Sequence, residues 1–97
     1  MPSVFVVYEK KAGARFDRHY CTTAHMDLIR EVCGPHGLEG VSCHLALEEQ
    51  SPFEAIMEVR YRDVDGLKTV LANPESRRIF ADIARFTDIL PRIGRMT

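Results

Sequence analysis

The sequence has no tryptophan, only 8% aromatic residues, and nowhere a run of apolar residues long enough to cross a bilayer. It also lacks charge of one sign. Thirteen basic residues face fourteen acidic ones, a net charge of -1, so no global field draws the chain to nucleic acid or to an anionic lipid surface. Neither nucleic acid nor membrane is expected as a partner. Cysteine is scarce too. Cys21, Cys33 and Cys43 are odd in number and widely spaced, which excludes a disulfide framework. The opening "MPSVFVVYEKK" has no basic start, long apolar core or small-residue cleavage site. The expectation is reduced thiols in the cytoplasm. There is no Cys-x-x-Cys, no His-Glu-x-x-His and no glycine-rich fingerprint after a strand, so neither a metal nor a nicotinamide or flavin cofactor is expected.

What is present is the make-up of one globular domain over residues 1–97, with 45% hydrophobic and 28% charged residues. Ser3 to Lys10, "SVFVVYEK", is β-branched and apolar on both alternating faces, as a central strand covered on both sides would be. Asp17 can cap a helix, with Phe16 as a staple residue before it, and Gly34-Pro35 ends that helix after Cys33. A single helix from Asp17 to Cys33 is predicted. In "GLEGVSCHLALEE", Val41, Cys43, Leu45 and Leu47 alternate with polar positions; "FEAIMEVRYR" alternates again, and the two form a hairpin. Val64, Leu67, Val70 and Leu71 start a second helical region that Asn73-Pro74 interrupts before Ile79, Phe80 and Ile83. In "FTDILPRIGRM", Ile89, Pro91 and Ile93 read as an edge strand.

Strand, helix, strand, strand, helix, strand is the order of the ferredoxin-like βαββαβ fold, an α+β class with a four-stranded antiparallel sheet. Its helices cover one face of the sheet. A second subunit is the economical cover for the other, so a homodimer with facing sheets is expected.

One polar residue stands out. On a wheel of about 100° per residue, His25 falls among Cys21, Leu28 and Val32, while Met26 and Arg30 lie toward the edges or the far side. Histidine in such a place is often core filling, with a ring nitrogen satisfied by a carbonyl. A metal reading would join His25 to Cys21, four residues before it, but needs further ligands that the spacing does not supply. The third reading makes His25 the working group of a site.

The stretch "GARFDRHYCTTAHMDLIREVCGPHGLEGV" resembles the first-helix signature of the EthD family, within the dimeric α/β-barrel superfamily. The matching positions are Phe16-Asp17, Tyr20, His25-Met26, Leu28, Gly34-Pro35 and Gly37-Leu38; where the family often has proline after His-Met, this chain has Asp27. "PFEAIMEVRYRDVDGLKTVL" and "ADIARFTDILP" are similar to the family's later elements. The resemblance implies a ferredoxin-like monomer that pairs through its sheet into a barrel, with a pocket between helices and sheet in each subunit. It also places His25 where the family signature has a histidine.

In an apolar pocket, desolvation would keep His25 neutral and fit to move a proton to or from a carbon acid or a phenol. Tyr8, Tyr20, Tyr61, His44 and Asp88 are the polar residues expected to share that pocket, Met57 and Phe86 its apolar wall, and Cys21 a small neighbour of His25. Asp82 is expected on the exposed side of its helix, and Arg77-Arg78 on a solvated face. The function expected is a cofactor-independent isomerase, cyclase or monooxygenase-like protein acting on a small hydrophobic or aromatic metabolite through His25. The alternative is a non-catalytic carrier for such a molecule.

Overall fold

The computed structural model describes residues 1–97. Strand β1 (Ser3–Glu9) leads into helices α1 (Arg18–Thr22) and α2 (Ala24–Cys33), a hairpin of β2 (Leu38–Leu45) and β3 (Phe53–Tyr61), helices α3 (Val64–Ala72) and α4 (Arg77–Phe86), and β4 (Arg92–Met96). The sheet order is β2-β3-β1-β4 with every pairing antiparallel, so β1 and β3 are central and the α+β, ferredoxin-like expectation holds.

Register assigns the two faces. Val6 pairs with both Met57 and Ile93, and Val59 with both Val4 and Val41, so these side chains share the face under the helices. Tyr8, Ala55 and Tyr61 join them by the same two-residue period, and all three are buried. Phe5, Val7, Ile56 and Met96 fall on the opposite face, which no element covers.

Three expectations are corrected. The first helix is not continuous: Thr23 breaks it, at φ -120 and ψ -85. The hydroxyls of Thr22 and Thr23 donate to the Arg18 and His19 carbonyls at 2.9 and 2.6 Å, local bonds that compete with the helical ladder. The break resets the phase of α2, so Met26 turns inward and is buried. Leu47 lies beyond the end of β2 and is 95% exposed. Finally, β4 begins at Arg92, so Pro91 precedes the ladder instead of joining it. The interruption at Asn73-Pro74 is where the sequence puts it, with the Asn73 side chain accepting from the Glu75 N–H.

The chain before α1 is tied to the end of α4. Asp17 N–H donates to the Phe86 carbonyl at 2.7 Å, Thr87 Oγ1 donates to the Arg15 carbonyl at 2.7 Å, and the Arg15 guanidinium donates to the Ala84 and Arg85 carbonyls. Tyr8, Phe16 and Phe86 close this corner with edge-on ring contacts at 5.5 to 5.7 Å. Helices α2 and α4 are thereby held side by side on the sheet.

Candidate active site

The helices carry an unusual complementarity. On α2 the inward face is His25, Met26, Ile29, Val32 and Cys33; on α4, Ile79, Ile83 and Phe86 form a stripe, and Asp82 lies in the middle of it. Each helix thus brings one ionisable side chain to an apolar seam. His25 is 2% exposed and Asp82 9% exposed, and the His25 Nδ1 to Asp82 Oδ2 distance is 2.9 Å. The other carboxylate oxygen accepts from the Tyr20 hydroxyl at 2.7 Å, with Arg85 Nε 3.7 Å away. Phe86 stands against the imidazole at 4.7 Å between ring centroids and stacks on Tyr20 at 6.1 Å.

The electrostatics assign protons. Burial pushes the Asp82 carboxyl up, but hydrogen bonds from His25 and Tyr20 and the charge of Arg85 outweigh it and hold the group below the usual carboxylate range. Asp82 is therefore an ionised acceptor. For His25 the balance is reversed: burial lowers its pKa further than the Asp82 carboxylate raises it. The ring is neutral near pH 7, its proton sits on Nδ1 facing Asp82, and the lone pair is on Nε2. Nδ1 is the only nitrogen of the ring with a protein hydrogen-bond partner. Tyr20 is raised above its ordinary value, by its hydrogen bond to Asp82 before burial, and stays a donor.

His25 also lines a cavity of about 100 Å³ between the helices and the sheet. Val4, Val6, Met57 and Val59 form its floor, and Ile29, Val70, Ile79 and Ile83 its walls. Leu71, Phe80 and Ile93, all exposed, rim its mouth. Asp82 does not line it; with Tyr20, Ala24, Leu28 and Arg85 it borders a shallow groove on the outside. His25 therefore stands between the two, one nitrogen on the outer carboxylate and the rest of the ring in the cavity wall.

The remaining polar atoms of the wall are few. Ser76 Oγ donates to the Val70 carbonyl at 2.5 Å and Tyr61 donates to Cys33 Sγ at 3.5 Å. The Tyr8 hydroxyl is fully buried and has no partner. Burial, and then the neighbouring Cys21 and Cys43 thiols, push it well above the ordinary phenol value.

Of the residues singled out in the sequence, His25, Tyr8, Met57 and Tyr61 line the cavity. Phe86 backs the imidazole from outside the cavity, and Tyr20 holds Asp82. Cys21 is buried near Cys43 instead; the neighbouring Cys43 thiol and burial push it up, while Cys43 is lowered. His44 is exposed on the uncovered face, because it alternates with Cys43 along β2 and cannot reach His25. Asp88 is exposed and accepts from the Arg15 N–H at 3.0 Å, a bond that fastens the α4 terminus, not the cavity. The expectation that Asp82 is exposed is overturned by its bond to His25. The signal was in the sequence: Asp82 lies three residues after Ile79 and four before Phe86, inside the apolar stripe. No three His, Cys, Asp or Glu side chains converge as metal ligands would.

The EthD domain profile matches residues 13–89. Among solved structures, the chain is similar to an EthD-like protein of Ralstonia eutropha JMP134, at 23% identity and a TM-score of 0.85 over 98% of this chain and 88% of that one. It is also similar to an ethyl tert-butyl ether degradation (EthD) family protein of Bacillus halodurans C-125, at 19% identity and a TM-score of 0.75 over 100% and 97%. A dimeric ferredoxin-like protein of unknown function from Thermobifida fusca YX aligns at 10% identity and a TM-score of 0.64, over 99% and 89%. Comparison with curated proteins gives no match.

Proposed function

The chain belongs to the EthD family, and from that premise we propose that it is a proton-transfer catalyst for a small hydrophobic metabolite, with His25 as the acid/base group. The observation that carries this reading is the buried carboxylate on the far nitrogen of His25. A histidine that merely fills core needs no more than a backbone carbonyl as a partner. Here an ionised Asp82, itself held by Tyr20, fixes the tautomer that leaves Nε2 free to take a proton in the cavity. The same pairing favours catalysis over carriage, since a carrier gains nothing from an oriented base. Met57, Tyr8 and Tyr61 are the substrate-contacting residues of this reading. Isomerisation, cyclisation and cofactor-independent oxidation all begin with such a proton transfer.

The working unit of the proposal is a homodimer, joined through the uncovered face that carries Phe5, Val7, Ile56 and Met96. A solved structural neighbour described as dimeric supports it. Three free thiols suit work in the reducing cytoplasm.

The test is deuterium uptake at the α-carbon of cyclohexanone in D2O, followed by NMR. The wild-type protein is expected to accelerate exchange, and His25→Gln to lose about a hundredfold or more of that acceleration while remaining folded. Equal acceleration by both proteins would refute the assignment.

A further inference from the structure

The cavity wall also states what kind of molecule it can accept, an inference that rests on the reading of this cavity as the binding site. Sixteen residues line it, and none is a lysine, arginine, aspartate or glutamate; His25 is the only one able to carry a positive charge, and its burial disfavours that state. A carboxylate or phosphate entering this space would lose its hydration with no cation to replace it. It would also face the Nε2 lone pair, because the Nδ1 proton is committed to Asp82. The wall therefore repels anions by its hydrogen-bond inventory as well as by its lack of charge.

That inventory is short. Ser76 and Tyr61 spend their hydrogens on Val70 and Cys33, and the Tyr8 hydroxyl is buried out of reach near the Cys21 and Cys43 thiols, which leaves the Nε2 acceptor. A ligand answers it only by donating a hydrogen. A hydroxyl can do so; an ether or a carboxylate cannot. Size narrows the class further. The volume of about 100 Å³ is well under that of drug-sized sites and near that of a dry cavity that takes a single benzene ring.

We propose that the site selects neutral, single-ring-sized molecules that present a hydroxyl, phenolic or enolic, to Nε2 of His25, and that it excludes carboxylates. Substrates of this protein then arrive uncharged, and the hydrogen that moves, from oxygen or from an α-carbon, is the one that His25 accepts.

Calorimetric titration at pH 7 with phenol, benzene and benzoate tests this. Phenol is expected to bind about tenfold more tightly than benzene, the value of one net hydrogen bond, and benzoate at least about tenfold more weakly than phenol. In His25→Leu the phenol and benzene affinities should converge to within about threefold while benzene binding persists. If that variant does not fold, the His25 Nε2 nitrogen shift in the wild-type protein decides instead: phenol must move it and benzene must not. Benzoate binding as tightly as phenol, or benzene matching phenol in the wild type, overturns the proposal and leaves the cavity reading intact. Failure of all three probes to bind overturns both.

Discussion

At the scale of residues, two side chains on opposite helices decide the account, and they were unequally legible. His25 could be read from its place on an apolar helical face and from its family-like surroundings. Asp82 carried the same signal, an ionisable group inside the stripe Ile79, Ile83, Phe86, yet a single aspartate on a helix is usually solvated, and only the packing of α4 against α2 discloses its partner. His44 shows the limit in the other direction: its chemistry fitted the site, and strand alternation sent it to the other face. The pair also makes stability depend on pH. His25 has a lower pKa folded than unfolded, so between that folded value and about 6.5 the unfolded chain binds the extra proton and stability falls as the solution is acidified. Asp82 is depressed as well, and its contribution is lost only further down, below about pH 4. Urea unfolding at pH 7.5 and pH 5.5 is expected to record the first loss in the wild-type protein, and a smaller one in His25→Gln. An equal loss in both proteins would place the titrating group elsewhere.

At the scale of elements, hydrophobic period and turn chemistry specified the strands, their order and the break at Asn73-Pro74. They did not specify the break at Thr23, because threonine tolerates a helix until its hydroxyl bonds back to a carbonyl one turn earlier. Close approach is similarly invisible in sequence. Gly66, in the first turn of α3, passes so near the turn after α2 that a Cβ there would collide with the His36 carbonyl oxygen, and its N–H is capped by Asp63 at 2.8 Å. Alanine normally favours a helix over glycine. Gly66→Ala is nevertheless expected to cost about 1–3 kcal/mol, as overpacked sites do, measured by denaturant midpoint. A neutral or stabilising result would mean that the α2–α3 junction yields freely.

At the scale of the whole molecule, the two sheet faces divide the work. One carries the core and the cavity, the other offers Phe5, Val7, Ile56 and Met96 among Ser3, Glu58 and Arg60, with Ser3 Oγ donating to Glu58 at 2.7 Å. That mixture of apolar centre and polar surround is what a second copy would bury. Val7→Glu is expected to halve the mass seen by light scattering without disturbing the helix-side core; an unchanged dimer, or a wild-type monomer, would remove the sheet from the interface. The base between cavity and groove is tested most directly by the pH profile of cyclohexanone deuterium exchange. With His25 as the base, the catalysed rate rises from the acid side with a midpoint below about 6.5 and then levels off, since a neutral imidazole is fully available above its lowered pKa. A rate that instead keeps climbing in proportion to hydroxide through neutrality, in wild-type protein and His25→Gln alike, would contradict the account.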